Sequence, residues 1–312
     1  MDLRSLRNYV VVAQELNITH AAEKLNMSQP PLSAQIRALE DELGAKLFIR
    51  GKRSLKLTEA GTILYRRALQ ILELTKKTEQ ELIQLKCGVS GNISVGLVGG
   101  RTPYMFARWS RDFCKKYPLV TFKLRNGSTD EVVSQLTQGL SDIAVIAAPY
   151  DLETLEGFPV GRASWTAVIP RSHPLARQEG SFVDLADLKD EPLIVPARKS
   201  RQQAIYSWFA EVGAEPNFVC ETAVYLDAVA LTEQGLGISI FPQSTYTPND
   251  LVVTKVIRNP ERQIQYVLAW NKDAYITPAA QQFIDYVRAL PEISGSAPDS
   301  DEYTPPENTP YL

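Results

Sequence analysis

Three polar side chains recur at intervals of four residues in the stretch Ser28–Phe48, namely Gln29, Ser33 and Arg37. In a helix this spacing places side chains on one face. Gln can pair bidentately with adenine, Arg with guanine, and Ser with base edges or phosphate. The three residues therefore predict a helix that reads the edges of DNA bases in a groove.

Two prolines, Pro30 and Pro31, stiffen the start of this stretch. A proline lacks the N–H group, which a first helical turn does not use. Because a proline disfavours helical geometry in the residue before it, Gln29 is expected at the helix cap or just outside it. The unpaired N–H groups of such a helix start can meet a phosphate. Ser28, Gln29 and Pro30 are therefore expected to approach DNA from the turn, and the other two polar residues from the helix itself.

A basic hairpin is predicted directly after this helix, in the sequence LFIRGKRSLKL. Two short apolar runs flank Gly51, and Arg50, Lys52 and Arg53 lie around the turn. Such a wing would reach backbone phosphates or a minor groove. A basic hairpin by itself is more often a solvated turn, so its assignment to DNA depends on the helix beside it.

Two further helices are predicted to position the reading helix. Apolar residues at helical spacing indicate a helix over Ser5–Leu16, and Thr19 is expected to cap a second helix that runs through Leu25. Asn26–Ser28 then forms a tight turn, and Gly44 ends the third helix in a left-handed conformation. This is the layout of a helix-turn-helix. The apolar stripe of the third helix consists of Leu32, Ile36, Leu39 and Leu43.

A dense set of positions between Thr19 and Gly61 fits the pattern of one protein family. The set comprises Ala21-Ala22, Ser28-Gln29-Pro30, Leu32-Ser33, Ile36, Leu39-Glu40, Leu43-Gly44, Leu47-Phe48, Arg50 and Leu57-Thr58-Glu59-Ala60-Gly61. The segment resembles the winged helix-turn-helix of LysR-type transcriptional regulators, and the resemblance extends to about Pro291. Two residues depart from the family pattern, since Pro31 replaces a small residue and Ala34 a long polar one. Both bear on base-level specificity rather than on the fold.

The resemblance implies a transcriptional regulator built from three parts. These are an N-terminal all-α winged helix-turn-helix, a long dimerising linker helix, and an α/β periplasmic-binding-protein-like sensor of two Rossmann-like subdomains. The resemblance also implies that the regulator contacts RNA polymerase.

A heptad-like seam runs through Thr58–Lys86 and indicates one long helix. At 1.5 Å per residue the helix would be roughly 40 Å long, too long for one small domain to cover. Because helix-turn-helix proteins bind paired half-sites, the seam is expected to join two copies of the chain as a homodimer or within a homotetramer. The alternative is a helix that packs on its own chain. The seam consists of Leu64, Ala68, Ile71, Thr75, Thr78, Leu82 and Leu85.

Residues 93–292 alternate apolar strand-like runs with amphipathic helical runs. This order predicts a mostly parallel sheet, with a second α/β unit beginning near Ser164. The chain returns at Ile264–Asn271 to a last helix over Thr277–Leu290. Two α/β subdomains that the chain crosses twice would enclose a cleft. The expected boundaries are about 92–162 and 267–292 for subdomain I, and about 163–266 for subdomain II.

The loops after the predicted strands are expected to line this cleft. Hydroxyl groups and N–H groups at helix starts, together with arginines such as Arg201, favour an anion, so a small carboxylate effector is expected. Any single hydroxyl in these loops is more readily explained as a helix cap. The predicted effector-binding residues are Arg101, Thr102, Ser128, Thr129, Ala148, Arg198, Ser200 and Gln202.

The charge distribution separates the front of the chain from the rest. Residues 1–90 carry 14 Lys+Arg against 10 Asp+Glu, a balance of +4, and the remaining residues carry 19 against 26, a balance of −7. A basic front on an acidic body is consistent with nucleic-acid contact by the front alone. The segment after residue 292 is rich in Pro, Ser and acidic residues and is predicted to be a disordered acidic tail.

Other functional classes have less support. The N-terminus has no apolar run typical of a signal peptide or a membrane span, which disfavours a solute-binding receptor and predicts a cytoplasmic protein. Three scattered cysteines and two distant histidines give no metal-binding pattern, and neither a nucleophile triad nor a phosphate loop is present, so an enzyme is not expected.

The sequence thus predicts a sequence-specific DNA-binding regulator that needs neither cofactor nor metal. Residues 1–57 would bind DNA, 58–90 would form the dimerising helix and hinge, 91–292 would bind the effector, and 293–312 would form the tail. The expected partners are double-stranded DNA, a small-molecule effector, a second copy of the chain and RNA polymerase, with no membrane.

Overall fold

The computed structural model describes residues 1–50, 55–84, 89–148, 150, 153–245 and 250–294. The chain forms two compact units, Met1–Cys87 and Gly88–Leu312, each with its own core. None of the helices in the described ranges is long and apolar enough to cross a membrane.

The N-terminal unit packs its first three helices around one apolar core and adds a short antiparallel hairpin and a long helix. Its elements are α1 (Leu3–Glu15), α2 (Ile18–Lys24), α3 (Gln29–Leu43), β1 (Phe48–Arg50), β2 (Leu55–Leu57) and α4 (Glu59–Gln84).

The caps of the second and third helices differ from the sequence-based prediction. Asn17 caps α2, because its side-chain oxygen accepts hydrogen bonds from the N–H groups of Thr19 (2.9 Å) and His20 (3.3 Å); Thr19 therefore lies inside the helix. Ser28 is the extended residue before α3, so Gln29 is the first helical residue and not the cap. The restriction that Pro30 places on its predecessor is a bias, which the packing of the helix outweighs here.

The predicted apolar stripe of α3 is buried over most of its length. Leu32, Ile36 and Leu39 lie in the core, whereas Leu43 is 40% exposed because it lies in the last turn. Gly44 ends the helix with φ of +64°, as predicted for a left-handed C-terminal residue.

Glu40 ties the end of α3 to the start of the hairpin. Its carboxylate accepts hydrogen bonds from the N–H groups of Leu47 (2.9 Å) and Phe48 (3.3 Å) and from Lys46 Nζ (2.9 Å). Burial alone would raise the pKa of Glu40, but the hydrogen bonds from Lys46 and from the two backbone groups outweigh burial and lower it. The carboxylate therefore fixes where the wing leaves the reading helix.

The long helix α4 uses part of its predicted seam within its own chain. Ala68 is fully buried and Leu64 packs against the core of the N-terminal unit. Ile71 of the seam is exposed, as are Ile63 and Leu74 on the neighbouring face. Of the remaining seam positions, Leu82 has no described side chain and Leu85 lies outside the described residues.

The C-terminal unit contains one ten-stranded sheet with helices packed on it. The strands are β3 (Gly91–Leu97), β4 (Val120–Asn126), β5 (Ile143–Ala147), β6 (Leu155–Pro170), β7 (Phe182–Asp184), β8 (Pro192–Pro196), β9 (Asn217–Thr222), β10 (Ile238–Pro242), β11 (Val252–Arg258) and β12 (Gln263–Asn271). The helices are α5 (Thr102–Lys116), α6 (Thr129–Thr137), α7 (Pro174–Arg177), α8 (Lys199–Glu211), α9 (Tyr225–Glu233), α10 (Pro278–Arg288) and α11 (Pro291–Ser294), with a 3₁₀ turn at Leu185–Leu188.

Two strands carry the chain between two α/β halves of this unit. The path order is β4-β3-β5-β12-β6-β10-β8-β9, with β4-β3-β5 parallel in one half and β10-β8-β9 parallel in the other. The long strand β6 pairs with β12 up to Ser164 and with β10 from Trp165 onward. A β-bulge interrupts the β6–β12 ladder between Tyr266 and Val267. Each half has its own apolar core.

Candidate functional site

The helix α3 and its cap present four of the eight predicted DNA-contacting residues to solvent. Ser28, Gln29, Pro30 and Arg37 are exposed. Ser33 is only 7% exposed, so the expectation that it faces outward does not hold. It directly follows Leu32 and lies on the edge of the buried stripe, where the helix meets its neighbours.

The hairpin is only partly described. β1 and β2 pair antiparallel, with Arg50 opposite Leu55 in the ladder, which places the backbone of Arg50 at the end of β1. Lys52 and Arg53 lie outside the described residues. On β2, Lys56 is exposed and adds a cation to the same hairpin.

The C-terminal unit contains a cleft into which four helices direct their N-termini. The helices α5, α6, α8 and α9 follow the carboxyl ends of the parallel strands β3, β4, β8 and β9, and the residues at each junction line the cleft. The cavity has a volume of about 140 Å³. A helix start carries N–H groups without intrahelical partners and a partial positive charge.

The start of α6 is rigid. Ser128 and Glu131 form a reciprocal capping box, in which the Ser128 hydroxyl accepts from the Glu131 N–H (3.3 Å) and the Glu131 carboxylate accepts from the Ser128 N–H (2.7 Å). The Ser128 hydroxyl is thus engaged as a cap, whereas Thr129, the next lining residue, lies at the first helical position and is buried.

Two arginines of α8 reach across the cleft to the other half of the unit. Arg198 Nη2 donates to Asp130 Oδ1 at 2.8 Å, and Arg201 Nη2 donates to the Ala148 carbonyl oxygen at 2.5 Å. Arg201 also lies over the Trp165 ring, with its Cζ atom 6.0 Å from the ring centroid. Burial, with the nearby charge of Arg198, lowers the pKa of Arg201 to about 10, so the side chain remains a cation near neutral pH.

Sequence reasoning missed the aromatic side chains of the cleft, because it assigned only strand-end loops to the site. Trp165, Phe241 and Tyr266 belong to strands, and Tyr225 begins α9. The sequence contained one signal for the strand residues, because they lie in apolar strands next to the point where the chain is predicted to cross between the two subdomains. The full lining is Val98, Gly99, Gly100, Gly127, Ser128, Thr129, Ala147, Trp165, Pro196, Ala197, Arg198, Arg201, Ala223, Tyr225, Phe241, Pro242, Ile264 and Tyr266.

Three predicted effector residues, Ser128, Thr129 and Arg198, line the cleft, and five do not. Thr102 is fully buried, and its hydroxyl donates to the Val98 carbonyl. Gln202 donates to the Pro196 carbonyl at 3.1 Å. Of the other three, Arg101 directly precedes α5 and Ser200 lies in the first turn of α8. Ala148 follows β5, and its carbonyl accepts the hydrogen bond from Arg201.

In the part of the chain that the structure describes, no group of three or more His, Cys, Asp or Glu side chains is arranged to hold a metal ion.

Comparison with known proteins identifies relatives of both units. Residues 3–62 match the family of bacterial regulatory helix-turn-helix proteins of the lysR type, and residues 87–291 match the LysR substrate binding domain. The HTH-type transcriptional regulator AlsR of Bacillus subtilis (strain 168) is 32% identical over 296 residues, which cover 91% of this chain and 94% of AlsR.

Two solved structures are similar to the present fold. Full-length CbnR in complex with its target DNA has a TM-score of 0.76 and 26% identity, covering 92% of this chain and 99% of CbnR. The effector binding domain of QuiR in complex with shikimate has a TM-score of 0.59 and 26% identity, covering 64% of this chain and 95% of that domain.

Proposed function

The chain belongs to the LysR family of transcriptional regulators, and from that premise we propose that an anionic small molecule, bound in the cleft of the C-terminal unit, controls its binding to DNA. The family membership makes it a DNA-binding regulator with a substrate-binding domain. The charge of the effector is the new element of the proposal.

One structural observation supports the proposal that the effector is an anion. Four helix N-termini and two arginines converge on a single cleft, no acidic side chain is among its described lining residues, and Asp130 is paired with Arg198. Partial positive charges and guanidinium groups in a half-enclosed site favour a carboxylate or phosphate over a neutral ligand. The QuiR effector binding domain, which was solved in complex with shikimate, supports a small-molecule ligand for this unit.

In the N-terminal unit we assign DNA contact to Ser28, Gln29, Pro30, Arg37 and Arg50, with Lys52 and Arg53 reaching the phosphate backbone. The CbnR complex with its target DNA supports this use of the unit. Because Ser33 is nearly buried, its contribution is limited to positioning the helix.

The remaining assignments concern assembly and mechanism. Residues 1–57 bind DNA, 58–90 pair two subunits, 91–292 sense the effector, and the protein works in the cytoplasm as a homodimer or homotetramer that contacts RNA polymerase. An effector changes DNA binding only if it binds one arrangement of the sensor more tightly than another. No catalytic step is assigned to any residue.

Thr129 provides a test of the effector site. Replacing it with Tyr (Thr129→Tyr) should fill the cleft and abolish the rise in melting temperature that binding carboxylates cause in the full-length protein, while DNA binding is kept. Thr137→Tyr, at the exposed end of the same helix, is the matched control and should keep the response. If Thr129→Tyr responds as the parent does, the effector binds elsewhere.

The DNA face requires a separate experiment. Arg37→Ala should weaken binding to the preferred sequence by about 1–3 kcal/mol and relax the sequence preference, whereas Arg53→Ala should weaken all sequences evenly and reduce the salt dependence. Arg177→Ala in the C-terminal unit removes the same charge and should leave both properties unchanged. Footprinting that shows no salt-sensitive, sequence-selective protection would contradict the assignment.

A further inference from the structure

Two polar groups in the cleft have hydrogen-bonding capacity that the described residues do not use. Tyr266 is only 1% exposed, and its hydroxyl donates to no acceptor within the ranges that the structure describes. The guanidinium of Arg201 has five N–H donors, and among the described residues it donates to the Ala148 carbonyl. A buried donor without an acceptor is costly, so a bound molecule that supplies an acceptor gains free energy there.

Both donors line the same cleft. Burial raises the pKa of the Tyr266 hydroxyl, while the neighbouring Arg101 N–H and the charge of Arg201 oppose that rise. A backbone N–H can only donate to the hydroxyl oxygen, so the hydroxyl proton remains available to a ligand.

Gly100 lets the backbone before α5 pack directly against this hydroxyl. A Cβ atom at this position would lie 2.5 Å from the Tyr266 hydroxyl oxygen, which is far inside van der Waals contact. The φ of Gly100 is +85°, a conformation that L-residues with a side chain rarely adopt. A side chain at position 100 would therefore displace the Tyr266 hydroxyl.

Besides Tyr266, three aromatic side chains line the described part of the cleft, those of Trp165, Tyr225 and Phe241. Trp165 and Phe241 are buried, and the rings of Tyr225 and Phe241 meet edge to face with centroids 5.9 Å apart. Aromatic walls with a few polar groups at fixed points are typical of sites that bind flat, unsaturated rings.

We propose that the effector is a ring acid with a second oxygen substituent, and that Tyr266, together with Arg201, reads that oxygen. The inference rests on the proposed anionic effector and narrows its chemical class. The carboxylate lies at the helix starts near Thr129, the ring lies between the aromatic walls, and the second oxygen accepts a hydrogen bond from the Tyr266 hydroxyl. A ring acid without that oxygen leaves the buried hydroxyl unpaired and binds more weakly.

The test measures the dissociation constants of benzoate and of 2-, 3- and 4-hydroxybenzoate for the full-length protein by calorimetry. At least one hydroxy isomer should bind the parent protein about fivefold more tightly than benzoate. Tyr266→Phe should abolish that preference while it changes benzoate binding less than about twofold. Tyr206→Phe, an exposed residue of α8 outside the cleft, should keep the preference.

Gly100→Ala provides a second variant, because the added Cβ displaces the hydroxyl and should remove the same preference. The proposed recognition of the second oxygen by Tyr266 is overturned if the parent protein prefers no hydroxy isomer, or if Tyr266→Phe keeps the preference. If succinate and 2-oxoglutarate bind but no ring acid does, the ring-acid class fails and the anionic effector stands. If neutral benzamide binds as well as benzoate, or no acid of either kind binds, the proposed anionic effector fails as well.

Discussion

Glu40 shows how one buried carboxylate can make part of the molecule sensitive to pH. Because the pKa of Glu40 in the folded state is lower than its ordinary value of 4.5, ionised Glu40 stabilises the N-terminal unit above about pH 4.5. That contribution is lost as the pH falls through the lower, folded-state value.

Replacing Glu40 with Gln should therefore lower the free energy of unfolding of the N-terminal unit by about 1–3 kcal/mol at neutral pH, because an amide cannot accept all three hydrogen bonds. The difference between parent and variant should shrink as the pH falls below 4.5. Chemical denaturation at a series of pH values measures both effects. Glu23→Gln, at an exposed position of α2, should change neither; a pH-independent loss in Glu40→Gln would contradict the role of the charge.

At the scale of elements, the cross-cleft pair between α6 and the start of α8 makes Asp130 a competitor of the effector. Both an anionic ligand and the Asp130 carboxylate can pair with Arg198, so binding of the ligand at this guanidinium displaces the carboxylate. Asp130→Asn should raise the affinity for the best-binding anion by about threefold to tenfold, measured by calorimetry.

The matched control for this prediction is Asp227→Asn. Asp227 also lies in the first turn of a helix that faces the cleft, α9, and is exposed. If both variants raise the affinity equally, the effect is the general loss of negative charge near the cleft and not the release of Arg198.

The long helix α4 makes a prediction about assembly. Its exposed apolar residues are Ile71 of the seam and, on the neighbouring face, Ile63 and Leu74, whereas Leu64 and Ala68 of the seam pack on their own chain. Charging this face with Ile71→Glu and Leu74→Glu together should weaken self-association at least tenfold, because an unpaired charge would be buried in the contact. Sedimentation measures the change, and Lys76→Glu on the same helix is the control. Unchanged association in the double variant would place the contact on another surface.

Elements were predictable where one physical signal dominated. The stripe of α3, its glycine stop and the alternation of strands and helices follow from periodicity and from the conformational freedom of Gly44. The cap of α2 could not be predicted from the sequence in this way. Asn17 and Thr19 are both good capping residues, and only packing selects between them. The heptad spacing predicts the seam of α4 as one surface for self-association. In the structure the first part of the seam is divided between the core of the N-terminal unit and solvent.

The candidate site was predictable only in part, for a related reason. Helix starts after strands can be located from the sequence, which placed Ser128, Thr129 and Arg198 in the cleft. Whether a strand residue such as Tyr266 faces a cleft or a core depends on the pairing of strands distant in sequence, and a single sequence does not reveal that pairing.

At the scale of the whole molecule, two compact units with separate cores should unfold as two events. Calorimetry of the full-length protein should show two transitions, and an anionic ligand should shift only the transition of the C-terminal unit. A hundredfold excess over the dissociation constant corresponds to about 2.7 kcal/mol of stabilisation. A single transition that moves as a whole would show that the units unfold together.

The antiparallel ribbon of β6 and β12, with its bulge at Tyr266 and Val267, has a consequence for pharmacology. The ribbon links the two halves of the C-terminal unit, so we expect the halves to open and close about it as a hinge. In such a motion the size of the bound molecule would determine the angle at which closure stops. Acids with the same charged group and different length should then divide into agonists and antagonists of the same protein.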